Sequence, residues 1–224
     1  MSDPTTKREI PTGLKKLLEL DVKLSKDFVE LVNQKYPIET YRAHLKSLEV
    51  RHCPFLNDTS SLPQVSCHGI PWLVFTIAGL YLSNSSIFIN ILLGLIIDIV
   101  IVAVTKAFTR RRRPAYNVDD QHATFKSVDK FSFPSGHATR AIMLAVLFTV
   151  LSPLPFLLWL PVIVWSLAVS VSRVVLGRHH ILDVVAGVVI GLVQSVILGM
   201  VWRNEEQAAY IVSMFGGEDP WSSA

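Results

Sequence analysis

Residues 172–183 read SRVVLGRHHILD and separate two apolar runs, at residues 154–171 and 181–202. Each run is close to the ~20 apolar residues that a helix needs to cross the hydrocarbon core of a bilayer. The turn between the two runs holds most of the polar side chains in this part of the chain. The stretch therefore predicts two membrane-spanning helices joined by a short turn that carries chemistry.

Two other polar motifs also lie at the ends of apolar runs. The three motifs read Lys106-x6-Arg113-Pro114, Pro134-Ser135-Gly136-His137 and Ser172-Arg173-x5-His179-x3-Asp183. Together they supply three cations, two histidines, a carboxylate and a Ser-Gly turn with backbone N–H groups. These groups are sufficient to hold a phosphate and attack it without a metal ion. No metal-ligand set and no cofactor motif is visible, so we expect neither a metal nor a cofactor.

The composition favours an integral membrane protein. Of the 224 residues, 50% are hydrophobic and 17% are charged, and the mean hydropathy is +0.42. Apolar runs lie at residues 65–82, 87–105, 138–151, 154–171 and 181–202. They predict about five membrane spans, and if every run crosses the bilayer, all three motifs fall on the same side.

The N-terminal part differs from the rest of the chain. Residues 12–36 alternate leucines and valines with charged residues, which predicts an amphipathic helix that is too charged to span a bilayer. This helix either lies in the membrane interface or packs on the domain. We divide the chain into an N-terminal tail, helix and linker (1–65), a membrane catalytic domain (66–203) and an acidic tail (204–224). Because the first residues lack an apolar stretch, we expect no cleavable signal peptide.

The cations are assigned to phosphate binding by their place in the motifs. Lys106, Arg113 and Arg173 are expected to contact the phosphate oxygens, because charge-assisted hydrogen bonds are strong. Ser135 and Gly136 begin a predicted helix whose free N–H groups attract anions. The other arginines, Arg110, Arg111 and Arg112, are interpreted as a membrane flank.

The two histidines are assigned to the chemical steps. His179 and Asp183 are four residues apart and would share a helix face, so the carboxylate is expected to accept a hydrogen bond from one ring nitrogen. The other nitrogen then attacks phosphorus, while His137 protonates the leaving oxygen and later activates water. His180 is the alternative nucleophile, but it lies outside the spacing of the motif.

Other polar residues have structural interpretations. Asp98 and Arg140 lie inside apolar runs, where ionisable groups usually form pairs. Cys53 and Cys67 are read as ordinary cysteines, since their spacing fits neither a zinc site nor a disulfide framework. A nucleic-acid partner is not expected, because the arginine run directly follows an apolar span.

The motifs resemble those of the type 2 phosphatidic acid phosphatase (PAP2) superfamily, which includes lipid phosphate phosphatases and vanadium haloperoxidases. The resemblance is closer to the polyisoprenoid (presqualene) diphosphate phosphatase branch. The passages that carry it are residues 66–73 (SCHGIPWL), 110–117 (RRRRPAYN), 127–141 (SVDKFSFPSGHATRA) and 172–179 (SRVVLGRH).

This resemblance implies an all-α membrane bundle and a metal-independent phosphohistidine mechanism. His179 would be the nucleophile, His137 the acid and Asp183 the orienting carboxylate. It also implies an endoplasmic reticulum or nuclear-envelope location and an isoprenoid mono- or diphosphate, held in the bilayer, as substrate. A broader lipid phosphate phosphatase, a haloperoxidase and a non-catalytic lipid-binding scaffold remain alternatives, and a homo-oligomer is left open.

The basic residues near the motifs favour a cytoplasmic active site. Asn57-Asp-Thr59 is a glycosylation sequon on the N-terminal side of the spans, so its modification would reverse that assignment.

Overall fold

The computed structural model describes residues 11–35, 69–83, 85–115, 131–152 and 154–214, and these residues are almost entirely helical. The helices are α1 (Thr12–Lys35), α2 (Gly69–Leu82), α3 (Ile87–Thr109), α4 (Gly136–Val146), α5 (Trp159–Val175), α6 (Ile181–Met200) and α7 (Glu205–Met214). A π-helical turn (Leu147–Leu151) extends α4, and a 3-10 turn (Phe156–Leu158) precedes α5. The prediction of an all-α bundle is confirmed.

Helix α4 is the centre of the bundle. It is buried along residues 138–145 and packs against α3, α5 and α6. Its inner layer joins Met143 and Leu144 to Leu95 of α3 and Leu198 of α6, none of which has exposed surface. Because α4 begins with Gly136-His137, this packing fixes the second motif relative to the helices that carry the other two.

Among the described residues, three helices are long and apolar enough to cross a membrane: α3, α6 and α5 together with its preceding 3-10 turn. Helices α2 and the extended α4 are apolar but shorter. On α6, a stripe of aliphatic residues at helical spacing faces outward, namely Val185, Val189, Leu192 and Val196. A helix that contacts lipid must be long and must present an apolar surface outward, and α6 does both. The chain is therefore an integral membrane protein.

Asp98 and Arg140 form the ion pair that their depth in the apolar runs indicated. Arg140 Nη2 donates to Asp98 Oδ2 at 2.6 Å, and Thr139 Oγ1 donates to Asp98 Oδ1 at 2.7 Å. The Asp98 side chain has no exposed surface. The pair links α3 to the second turn of α4.

Helix α1 packs on the bundle, which is one of the two placements that the sequence left open. It contacts α5 and α6, and its boundaries agree with the predicted amphipathic helix to within one residue. Phe28 and Val29 pack against a buried cluster of Ala138, Val174 and Val184. Helix α1 is therefore attached at the end of the bundle where the motifs lie.

Several sequence-based predictions fall outside the described residues. These are the cysteines Cys53 and Cys67, the Asn57 sequon and the linker up to residue 68. The tail after α6 is described only to residue 214. Its beginning is held to the start of α3 by two reciprocal hydrogen bonds between Asn90 and the Arg203 backbone, each of 2.8 Å.

Replacing Arg140 by Met should destabilise the protein by about 3–5 kcal/mol, because Asp98 would keep a buried charge without its cation. The double variant Arg140→Met/Asp98→Asn should regain most of that loss, since the remaining amide is neutral. Thermal unfolding in detergent measures both variants. Equal stability of the single and double variants would show that the pair is not the source of the effect.

Candidate active site

The three motifs are joined by backbone hydrogen bonds. Ser132 N–H, just before the second motif, donates to the Arg111 carbonyl within the first motif at 2.8 Å. Ser135 N–H in the second motif donates to the Asp183 carbonyl in the third at 3.0 Å. The three motifs therefore lie together at one end of the bundle, and main-chain hydrogen bonds set their relative positions. That all three face the same side of the membrane stays a prediction.

A tight turn after α5 presents His179. The Arg173 carbonyl accepts from the N–H groups of Arg178 and His179, at 3.1 and 3.2 Å. Gly177 has φ 70°, a left-handed conformation that glycine adopts readily at the end of a helix. Helix α6 begins only at Ile181, so His179 precedes the helix that contains Asp183.

The His179 ring is held by a backbone carbonyl. Its Nδ1 lies 2.7 Å from Ser132 O and 3.9 Å from Asp183 Oδ2. The expectation that Asp183 accepts a hydrogen bond from His179 is therefore wrong in this structure. The physical reason is that the two residues do not share a helix face, because His179 lies in the turn.

The Asp183 carboxylate is buried, and each of its two oxygens accepts a hydrogen bond. Arg111 Nη1 donates to its Oδ1 at 2.7 Å, while its Oδ2 accepts from His180 N–H at 2.8 Å and lies 3.2 Å from His180 Nδ1. The N–H contact is made by the residue that caps α6. His180 therefore contacts the Asp183 carboxylate directly, whereas the nearest His179 nitrogen lies 3.9 Å from it.

Arg111 is not a membrane flank, so that interpretation is wrong for this residue. Its guanidinium bridges Asp183 and, through Nη2 at 2.6 Å, Asp21 of α1. Its side chain is only 13% exposed, which distinguishes it from the exposed Arg110 and Arg112. A short antiparallel bridge between Arg112 and Phe131 holds this loop against the segment that precedes α4.

The start of α4 has the features of an anion site. Ser135 is the N-cap, and Gly136 and His137 form the first turn of the helix. Ser135 Oγ is buried and makes no hydrogen bond with any residue in the described ranges. A Cβ on Gly187 of α6 would lie 3.0 Å from both Ser135 O and Ala138 Cβ, so any side chain there would force the neighbouring atoms to shift by a few tenths of an ångström.

The predicted phosphate-binding cations lie at the same end. Lys106 is in the last turn of α3, and Arg113 follows in the loop that begins where Arg110 takes a left-handed conformation (φ 47°). Arg173 is in the last turn of α5 and is 3% exposed, with Nε and Nη2 directed at Ser172 Oγ. Within the described residues, no group of three or more His, Cys, Asp or Glu side chains is placed to hold a metal ion.

A cleft of about 680 Å³ opens beside the site. Helix α1 lines it with two apolar residues and a lysine, and the loop after α3 lines it with arginines. The lining residues are Leu18, Val22, Lys26, Arg111, Arg112, Arg113, Pro114, Ala115 and His180. The cleft therefore combines an apolar wall with a concentration of positive charge.

Sequence reasoning missed Ser132, Asp21 and Ser25. Ser132 acts through its carbonyl, which carries no side-chain signal. Asp21 and Ser25, however, are buried within a stripe of α1 whose apolar members Leu18, Phe28 and Val29 are half-buried. Polar residues at the centre of an otherwise apolar stripe indicate a polar partner across the interface.

Comparison of the sequence with known proteins identifies relatives of this chain. A family model described as the PAP2 superfamily matches residues 87–206. The chain is 34% identical to the probable lipid phosphate phosphatase beta of Arabidopsis thaliana over 146 residues, covering 54% of this chain and 68% of the plant protein. No solved structure matches the chain significantly.

Two microbial relatives are also similar. The identity is 34% with the undecaprenyl-diphosphatase of Sulfolobus acidocaldarius, covering 46% of this chain and 49% of the relative. It is 33% with the decaprenylphosphoryl-5-phosphoribose phosphatase of Mycobacterium tuberculosis, covering 48% of this chain and 57% of the relative. The chain thus spans about half the length of these two proteins.

Replacing Gly187 by Ala should lower activity, because the new methyl group must push the start of α4 away from α6 by a few tenths of an ångström. Gly199→Ala on the same helix is the matched control, since its Cβ would meet only Leu151 at an ordinary 3.4 Å. The measurement is phosphate release by both variants at equal folded concentration. Equal activities would show that the close approach at Gly187 is not needed.

Proposed function

Because the chain belongs to the PAP2 superfamily, a family of membrane phosphatases, we propose that it hydrolyses isoprenoid lipid mono- and diphosphates through a phosphohistidine on His179. The catalytic residues in this proposal are His179, His137 and Asp183. The phosphate-binding residues are Lys106, Arg113, Ser135, Gly136 and Arg173.

The observation that carries the proposal is the hydrogen bond between His179 Nδ1 and the Ser132 carbonyl. A carbonyl oxygen only accepts, so Nδ1 must carry the hydrogen and the lone pair of the neutral ring lies on Nε2. Nε2 is then the atom that attacks phosphorus. The ring orientation is set by main chain that is itself bonded to the loop after α3.

Asp183 supports this step through its charge. As Nε2 forms its bond to phosphorus, the ring becomes positively charged, and Asp183 Oδ2 lies 3.9 Å from its Nδ1. At an effective dielectric constant of about 20, this attraction is about 4 kcal/mol. The carboxylate therefore favours the charged intermediate without a direct hydrogen bond.

The start of α4 supplies the second half of the site. The equatorial phosphate oxygens accept hydrogen bonds from the Gly136 N–H and the Ser135 hydroxyl at the helix N-terminus. The cations neutralise the negative charge of these oxygens. His137, in the first turn, protonates the departing oxygen as the P–O bond breaks. It then takes a proton from water, which attacks phosphorus, releases phosphate and restores neutral His179.

The substrate class is supported by the surroundings of the site. The site lies at the end of lipid-facing helices, beside a cleft that has an apolar wall and several cations. An amphiphile with a phosphate or diphosphate head matches both features. Two of the relatives are named for polyprenyl substrates. The plant relative's name favours a second candidate, a broader lipid phosphate phosphatase.

We also propose an endoplasmic reticulum and nuclear-envelope location, as the family resemblance implies, with the site on the cytoplasmic face. The orientation is supported by Arg110 and Arg112, which are exposed at the end of α3 where the site lies, since basic residues beside membrane spans favour the cytoplasmic side. Glycosylation of Asn57 is the observation that would reverse this orientation.

His179→Ala should lower phosphate release by at least about 10³-fold, because the nucleophile is lost. His180→Ala, the neighbouring matched variant, should retain measurable turnover, since the Asp183 contact with the His180 backbone N–H remains. Release is measured with purified protein in detergent containing EDTA. A greater loss in His180→Ala than in His179→Ala would make His180 the nucleophile.

Farnesyl or presqualene diphosphate should be hydrolysed with a higher kcat/KM than phosphatidate. The apolar wall formed by Leu18 and Val22 can contact an isoprenoid chain, and the arginines that line the same cleft suit the extra charge of a diphosphate head. Both substrates are compared in mixed micelles at equal surface concentration. A higher kcat/KM for phosphatidate would favour the broader lipid phosphate phosphatase.

A further inference from the structure

Helix α1 provides the hydrogen-bond acceptors for the first turn of α6. The first N–H groups of a helix have no partner within the helix and are usually capped by nearby residues. Here Ile181 N–H donates to Ser25 Oγ, and Leu182 N–H donates to Asp21 Oδ1, both at 3.0 Å. The helix that carries Asp183 is therefore capped by a helix at the opposite end of the chain.

Asp21 also reaches Asp183 through Arg111. The two Nη atoms of Arg111 donate to the two carboxylates, to Asp21 Oδ2 at 2.6 Å and to Asp183 Oδ1 at 2.7 Å. The Asp21 and Asp183 side chains are 3% and 0% exposed, so these contacts are shielded from water. The planar guanidinium fixes the separation and the orientation of the two carboxylates.

We propose that Asp21 is a positioning residue of the active site and that α1 is a part of the catalytic unit. The proposal rests on the proposed function, because it concerns the same His179 and Asp183. Asp21 holds Arg111, and Arg111 holds Asp183 Oδ1. The other oxygen, Oδ2, then remains on the His180 N–H and close to the His179 ring.

The docking of α1 does not depend on Asp21 alone. Phe28 and Val29 pack on the cluster that contains Ala138 and Val184, and Ser25 makes its own hydrogen bond to α6. A change at Asp21 that keeps the size of the side chain therefore leaves α1 in place. The effect on catalysis can then be separated from the effect on folding.

Asp21→Asn is the selective variant. The amide oxygen can still accept from Leu182 N–H, but the amide nitrogen faces Arg111 Nη2, and two donors cannot form a hydrogen bond. We expect kcat to fall by about 10- to 100-fold, with KM changed by no more than about twofold, because the bound substrate is not touched. Asp27→Asn, an exposed aspartate on the same helix, is the matched control and should behave as wild type.

Two further variants distinguish positioning from stability. Ser25→Ala removes the docking hydrogen bond to Ile181 N–H and a 3.4 Å bond to Asp21 Oδ1, but it leaves the contact between Asp21 Oδ2 and Arg111 in place. It should therefore lower Tm and leave kcat within about twofold of wild type. Arg111→Lys keeps the positive charge but loses the fixed fork, so it should reproduce the kcat loss of Asp21→Asn.

The assay measures kcat, KM and Tm of all variants in detergent containing EDTA, with His179→Ala alongside. The inference is overturned if Asp21→Asn retains wild-type kcat, or if Asp21→Asn and Ser25→Ala lose activity together in proportion to Tm. The proposed function is tested separately, because it is contradicted if His179→Ala releases phosphate at the wild-type rate. If His179→Ala is inactive, and kcat falls in Asp21→Asn and Arg111→Lys but not in the other variants, the results support both the proposed function and the positioning role of Asp21.

Discussion

The buried carboxylate of Asp183 determines how the site is assembled. An ionised group without solvent contact is costly unless each oxygen has a cation or a hydrogen-bond donor. Asp183 obtains these from Arg111 in the loop after α3 and from the backbone of His180. Arg111 in turn requires Asp21 of α1. Satisfying one carboxylate therefore brings together three segments that are far apart in the sequence.

The ring of His179, the proposed nucleophile, is oriented by the main chain and not by the carboxylate that the motif spacing indicated. His179 lies one residue before the cap of α6, where its ring meets the Ser132 carbonyl. In the proposed mechanism, two groups act on the His179 ring. The Ser132 carbonyl sets its tautomer, and the Asp183 carboxylate stabilises the positive charge that the ring acquires when it attacks phosphorus. Neither role requires Asp183 to bond to His179.

The features that depend on local sequence pattern could be predicted. The lengths of the apolar runs predicted the helices, the positions of the motifs at the ends of these runs predicted that they fall on the same side, and the depth of Asp98 and Arg140 predicted their pairing. The partner of each polar group could not be predicted, because it depends on tertiary geometry. Four consecutive arginines look equivalent in sequence. Only the left-handed turn at Arg110 and the pairing of the loop with residues 131–132 separate the partly buried Arg111 from its exposed neighbours Arg110 and Arg112.

Helix α1 carries three different faces, and their arrangement explains where a substrate would meet the site. One face docks through Asp21, Ser25 and Phe28. An adjacent stripe of leucines at helical spacing is exposed, namely Leu17, Leu20, Leu24 and Leu31, and the charged residues occupy the remaining side. Amphipathic helices with such faces commonly lie along a membrane surface, with the apolar stripe in the lipid. We expect the same placement for α1. Because Asp21 and Ser25 also bind the first two N–H groups of α6, the turn that carries His179 would then lie close to the boundary between lipid and water, where an amphiphile keeps its phosphate.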